Sequence, residues 1–322
     1  MEYTDFFVTR VNEVYHDVEG DRYEQRHPEI LVDEIKRWKL LGEQFIKNNP
    51  RPLTLLDIGT GTGFVPLQIV EYLRKGDTLT CSDVSQVMLD AVREKLSGLL
   101  MRLGVTESYI KLDNGRIPMS DGSVDMLTVN SVLHHIQDLD NFFSEVNRVM
   151  GKDGIVIITH EPNALFYANT KLWLNYRICS FFFNPKQFII DFLMRKGIFE
   201  WVRGWYYRFS REVRDYNEVI SEVNYRLKKD GLIERDLTAS EMTEIVDIHS
   251  PGAGGKYASR GFSVYHLQSN LLKDYKILWE ETYDHILTTS TSNFLTCKYD
   301  QWLNKRFPKD GSHFSVVFKK IC

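Results

Sequence analysis

Between residues 53 and 159 the apolar positions follow two rhythms in turn. Residues 53–58, 78–82, 109–112, 124–129 and 155–159 have the length of strands, and the apolar run at 53–58 lacks alternation, as in a strand covered on both faces of a parallel sheet. Between them the apolar residues recur at helical spacing. Val65, Leu67, Ile69, Val70 and Leu73 do so behind Pro66, with Gly76 after the last turn. Val87, Met88, Ala91, Val92 and Leu96 follow Ser85 as an N-cap, and Phe142, Phe143, Val146, Val149 and Met150 share one face of a helix over 139–150. Gly151-Lys152-Asp153-Gly154 is expected to turn the chain into the fifth strand. Strands and helices alternating in this way predict a parallel sheet with right-handed crossovers.

Ahead of the sheet, Ile30, Leu31, Ile35, Trp38, Leu41 and Phe45 recur at helical spacing, and Pro50 and Pro52 close the segment. Beyond Glu161 the next strand candidate is 261–267, GFSVYHL, and the last is 313–319, HFSVVFK. The hundred or so residues between are crowded with aromatics, among them Phe166, Tyr167, Trp173, Phe181 to Phe183, Trp201, Trp205 and Tyr207. The expected organisation is an N-terminal helical segment over 1–50, a core of 51–162 with 261–322, and a helical insertion over 163–260. The stretch 250–261, SPGAGGKYASRG, reads as a loop. The expected fold is α/β, a Rossmann-like doubly wound sheet of seven mostly parallel strands, with N-terminal helices and the large insertion before the sixth strand.

Composition narrows the partners. At 322 residues the chain can bury a large core, and its net charge of −4 leaves no basic footprint for nucleic acid. Cys81, Cys179, Cys297 and Cys322 have neither metal nor disulfide spacing, which suits a reducing cytoplasm. No leader is expected from the polar N-terminus. The apolar stretch 172–194 is interrupted by Asn175, Arg177, Asn184, Pro185 and Lys186, so it lacks the ~20 apolar residues of a membrane span.

The chemistry gathers at LTLLDIGTGTGFVPLQI, residues 53–69, where a strand passes through three glycines into a helix. Glycine lets a ligand lie against the main chain, and the helix N-terminus offers unpaired N–H groups. A nucleotide-like ligand follows. The dinucleotide fingerprint puts its third glycine at the sixth position of the turn, where Phe64 stands here, which disfavours NAD and FAD.

Asp57 followed by Gly59, Gly61 and Gly63, in D-I-G-T-G-T-G, resembles the first motif of class I S-adenosylmethionine-dependent methyltransferases. The resemblance continues at Asp83, twenty residues beyond Gly63, at Asp113, and at Asn130, over roughly residues 50 to 162. It implies S-adenosylmethionine as cofactor and S-adenosylhomocysteine as product. By the same resemblance Asp83 takes the ribose hydroxyls, a task that suits an acceptor-only carboxylate, and Asp113 the adenine amino group. Thr60, Val84, Met88, Asn114 and Asn130 join the cofactor set. An N-terminal segment in the family often folds over the cofactor, and Tyr23 leads the candidates there, with Tyr15, Arg26 and His27 behind it.

The implied function is methyl transfer to a small, partly apolar or aromatic molecule, with the insertion as acceptor cap or as homodimer contact. His135 is the candidate general base, ahead of His160 and Glu161. His134 and His135 are adjacent on a helix and are expected to diverge, a poor metal pair, so no metal is expected. Asn130-Ser131-Val132-Leu133 stands where DNA amino-methyltransferases carry an Asn or Asp, two prolines and an aromatic residue, which disfavours base methylation. The alternative is a partner or regulatory protein that binds the cofactor without turnover.

Overall fold

The computed structural model describes residues 3–20, 32–47, 49–113, 115–172, 174–175, 178, 211–250, 261–286 and 294–321. Strands β1 (Thr54–Ile58), β2 (Thr78–Asp83), β3 (Thr106–Lys111), β4 (Val124–Asn130), β5 (Met150–Pro162), β6 (Tyr275–Tyr283) and β7 (His313–Lys320) form one sheet in the order β3-β2-β1-β4-β5-β7-β6. The first five pair in parallel, and β7 runs antiparallel between β5 and β6. The sheet reverses its order at β1 and β4, whose carboxyl ends diverge there, so a crevice opens at that edge.

Alternate residues of the central strands enter different cores. Leu56, Ile58, Leu127, Val129 and Val156 pack with Phe142 and Phe143 on one face. Leu55, Met126 and Ile157 pack with Trp38, Val65, Val92 and Leu96 on the other. This explains the apolar run at 53–58. The helices covering the sheet are α2 (Val32–Leu41), α3 (Phe64–Ile69), α4 (Gln86–Leu103) and α5 (Leu139–Val149). Ser85 caps α4 by accepting the Met88 N–H at 3.1 Å.

Helix α1 (Asp5–Glu19), capped by Thr4, turns its apolar face elsewhere. Val8, Val11 and Val14 form a third core with Val219, Val223 and Leu227 of the helix Arg211–Lys229 and with Met242, Ile245 and Val246 of the helix Ala239–Val246. The first helix is thus held by chain two hundred residues downstream.

Two expectations are corrected. Residues 261–267 are not the sixth strand: Val264–His266 is helical, with the Ser263 hydroxyl accepting the His266 N–H at 3.4 Å. Capped in this way, the segment curls so that Phe262, Leu267 and Leu272 reach one core. The strand is β6, whose exposed Lys276, Glu280 and Glu281 suit a sheet edge that must not pair further. Residues 151–154 do not form a separate turn. They are a bulge inside β5, with Asp153 at φ 62° and a register shift against β4. Within the insertion, residues 173, 176–177 and 179–210 and the loop 251–260 lie outside the described residues.

Candidate functional site

A cavity lies across the carboxyl ends of β1 to β4. It is open to solvent and is lined from β1, β2, β4, the first helix and the turn after β4. Its floor is Ile58, Gly59 and Gly61; Asp83, Val84 and Met88 form one side; Asn130, Ser131, Val132 and His135 form the other.

The glycines at the floor are needed for different reasons. Gly59 and Gly61 both have positive φ, 66° and 52°. A Cβ on Gly59 would stand 2.3 Å from Val132 Cγ2, whereas one on Gly61 would meet nothing within 4 Å. Gly59 lets the loop press against the turn after β4, and Gly61 leaves main chain bare to the cavity.

Asp83 holds that loop. Its Oδ2 accepts the Gly61 N–H at 2.8 Å and its Oδ1 accepts the Ser85 N–H at 2.9 Å. Burial pushes its pKa up, against the backbone donors of Ser85, Gly61 and Val84 and nearby His16. Against these three backbone donors the carboxylate's four lone-pair sites leave acceptor capacity for a ligand hydroxyl.

Not every expected cofactor residue reaches the cavity. Gly59, Gly61, Asp83, Val84, Met88, Asp113 and Asn130 line it, and so does His135. Asp57, Thr60 and Gly63 lie behind the loop, outside the lining. Asp57 is buried and its Oδ1 accepts the Thr128 hydroxyl at 2.5 Å across the β1/β4 ladder. Burial pushes its pKa up to about 7. The Thr60 N–H donates to Ser82 O at 2.9 Å, joining the loop to β2. Tyr23, Arg26, His27 and Asn114 lie outside the described residues.

The turn after β4 is built on Glu161. This carboxylate is fully buried; its Oε1 accepts the N–H groups of Val132 and Leu133 at 2.6 and 2.7 Å, and its Oε2 pairs with His134 Nδ1 at 2.9 Å. Burial alone would lower the His134 pKa, but Glu161 reverses the direction and raises it. Ser131, the first residue of the turn, takes φ 59°. With both oxygens engaged, Glu161 shapes the cavity wall rather than acting as a free base.

His135 stands differently. A carbonyl can only accept, so the 2.7 Å contact of its Nδ1 with Val246 O fixes the proton on Nδ1 and leaves Nε2 as the acceptor. His134 and His135 do not diverge, contrary to expectation. In the short turn Leu133–His135 their rings lie 4.1 Å apart, drawn to one side by Glu161 and by Val246. Asp247 Oδ1 is 3.4 Å from His135 Nδ1 and 4.0 Å from His134 Nε2. The three form a group with metal-ligand chemistry, and the hydrogen bonds of both Nδ1 atoms already account for its arrangement.

His160 belongs to another network. It stacks on His313 at 4.6 Å and lies 3.3 Å from Glu34, which pairs with Arg37, whose guanidinium lies 3.5 Å over the Tyr283 ring. This cluster clamps α2 to the ends of β5, β6 and β7. Trp38 on the same helix donates to Asn130 Oδ1 at 3.2 Å, and Thr159 Oγ1 donates to the same oxygen at 2.6 Å.

The lining residues that the sequence did not single out include four from the N-terminal helix. Asp5, Thr9, Asn12 and His16 are spaced along one face of α1 and close the cavity from above. Their signal was the polar stripe opposite Val8, Val11 and Val14, behind Thr4 as N-cap.

A methyltransferase-domain family model matches residues 56–158. A malonyl-[acyl-carrier protein] O-methyltransferase of Geobacter sulfurreducens is 29% identical over 104 residues, 32% of this chain and 37% of that protein. A demethylmenaquinone methyltransferase of Desulfitobacterium hafniense is 30% identical over 125 residues, 38% and 47% of the two chains. The chain thus spans less than half the length of either relative. A solved S-adenosylmethionine-dependent methyltransferase from Aquifex aeolicus is 20% identical, covers 51% of this chain and 75% of its own, and superposes with a TM-score of 0.36.

Over residues 56–158, about a third of its length, the chain is similar to the methyltransferase-domain family. S-adenosylmethionine is the cofactor that class I methyltransferases use. No helix among the described residues is long and apolar enough to cross a membrane.

Proposed function

We propose that this chain methylates a small, partly apolar molecule, and that its cofactor occupies the cavity across β1 to β4. The observation that carries the reading is Asp83, a buried carboxylate tied to the main chain of Gly61 with acceptor capacity left for a ligand hydroxyl. Gly61 adds a bare stretch of main chain where a Cβ would otherwise project. Asp83 would hold the ribose, Asp113 the adenine edge, and Gly59, Gly61, Val84, Met88 and Asn130 the remaining contour. Asp57, Thr60 and Gly63 support the loop from behind.

The bound cofactor supplies an activated methyl group, so the protein chiefly has to orient the acceptor in line with it and exclude water. Helix α1 contributes to that exclusion with Asn12 and His16. When the acceptor arrives protonated, Nε2 of His135 takes the proton, because Val246 O fixes the tautomer in which Nε2 is the basic nitrogen. Residues 163–260 act as the acceptor cap; a homodimer contact is their competing role. The cysteine pattern suits a cytoplasmic protein.

Calorimetric titration with S-adenosylmethionine, S-adenosylhomocysteine and NAD tests the cavity. Dissociation constants near 1 μM, about −8 kcal/mol, are expected for the first two and none for NAD. The acceptor panel should include a malonyl thioester and a reduced naphthoquinone, after the named substrates of the two relatives. Binding with no transfer to any acceptor would favour a non-catalytic cofactor-binding protein, and silence toward both sulfur ligands would sink the reading.

A further inference from the structure

The helix Phe294–Arg306 shows two unlike faces. Inward, Leu303 packs on Ile286, and Asp300 accepts the Ile286 N–H at 2.9 Å. Outward, Tyr299 and Trp302 stack at 5.8 Å, and they and Phe307 remain 39, 53 and 36% exposed. Lys305, Arg306 and Lys309 stand exposed among them. Among the described residues no carboxylate pairs with these three cations; the Arg306 guanidinium instead lies 5.5 Å over the Phe307 ring.

The fold sets this face beside the acceptor end of the sheet. Strand β6 runs parallel to β1 to β5, since both it and β5 are antiparallel to β7. Its carboxyl end at Tyr283 therefore lies on the sheet edge that holds the cavity, and the patch belongs to the connection from there to β7. Asn163, which follows β5, donates through Nδ2 to Lys309 O at 3.2 Å and Gly311 O at 2.8 Å. The patch is thereby tied to the start of the insertion, where Leu165, Leu174 and Ile178 are 48–55% exposed. The same composition continues in sequence: residues 171–208 hold seven Lys or Arg, two acids and twelve aromatics in a chain of net charge −4.

We propose that this face docks on the interface of an anionic lipid bilayer. Tyr and Trp have an apolar body and a polar edge that suit the headgroup depth, and unpaired cations between them gain from anionic lipid. A nucleic acid would also satisfy the cations, but it would leave Trp302, Phe307 and the exposed leucines in water, so the bilayer accounts for more of the face. The chain as a whole is negative, so the local charge decides which side approaches. The inference stands apart from turnover in the cavity.

Co-sedimentation of the full chain with phosphatidylcholine vesicles, with and without phosphatidylglycerol, tests it. Partition is expected only with the anionic lipid and should weaken with salt. Lys305→Glu with Arg306→Glu, and separately Trp302→Ala with Phe307→Ala, should each reduce it about tenfold or more, with S-adenosylmethionine titration and circular dichroism unchanged as proof of fold. No partition, equal partition on neutral vesicles, variants that partition like the parent, or retention on a duplex or single-stranded oligonucleotide in preference to vesicles would each overturn the proposal.

Discussion

The Asp83 carboxylate accepts the Gly61 N–H at 2.8 Å, so the residue assigned to the ribose also sets the shape of the loop beneath it. Asp83→Ala should remove the ligand's hydrogen bonds to a charged group, about 1.5–3 kcal/mol. Calorimetry should register this as a loss of roughly 10- to 150-fold in S-adenosylmethionine affinity. Unchanged affinity would remove Asp83 from the cofactor set.

The two floor glycines should fail in different ways. Gly59→Ala forces a methyl into Val132 and an L-residue into left-handed backbone, so about 2–5 kcal/mol of stability should be lost. Gly61→Ala meets no atom and should cost only the backbone term, about 1–2 kcal/mol, while its methyl invades the cavity and weakens cofactor binding. Urea unfolding beside titration separates the two, and Val132→Ala should restore part of the Gly59→Ala loss. Equal unfolding midpoints for the two alanine variants would contradict the geometry.

The Glu34–Arg37 pair is buried at 3 and 6% side-chain exposure. Arg37→Met alone leaves the buried Glu34 carboxylate of α2 with the longer His160 contact and should cost about 3–5 kcal/mol. Glu34→Gln combined with Arg37→Met should recover most of it. A double-mutant cycle in urea reads the coupling, and strictly additive losses would count against a buried pair.

Asp57 gives stability a pH dependence of known sign. Its carboxyl titrates at about 7 in the fold, pushed up by burial from an ordinary 3.8. The native state thus holds a proton that the unfolded chain has released, so the contribution is complete below about pH 4 and is lost as pH rises through 7. Asp284, likewise pushed up to about 7 by burial, works in the same direction. Asp57→Asn mimics the protonated group, so its stability relative to the parent should improve between pH 5 and pH 8. Parallel pH curves for the two proteins would show Asp57 ionised at neutrality.

Strands whose residues are covered on both faces were legible, because Leu55 and Leu56 enter opposite cores and neither position tolerates a polar residue. The sixth strand was not. Its inner positions are Tyr275 and Tyr283 among lysine and glutamates, the composition of an edge, whereas Phe262 to Leu267 has the apolar content of a strand and curls behind a serine cap. The site was legible where main chain and acids make it, at Gly59, Gly61, Asp83, Asp113 and Asn130. It was hidden where contact across the fold makes it: Glu161 reads as one more acid, and only the fold reveals that the turn bearing His135 hangs on it. The convergence of His134 and His135 likewise depends on Val246 and Asp247, more than a hundred residues downstream.

Helix α1 has its cavity face near the start of the chain and its packing partners between residues 211 and 246. At about 5–20 residues per second of synthesis, roughly 10 to 40 s separate the emergence of the helix from that of the surface it needs. During that interval the nascent chain can assemble the first five strands while the roof of the cavity waits, apolar side out, for the far end of the insertion. A chain arrested before residue 211 should therefore be cleaved within α1 by a protease that leaves the sheet intact, and resistance of α1 in that arrested chain would show that it finds its seat without the later helices.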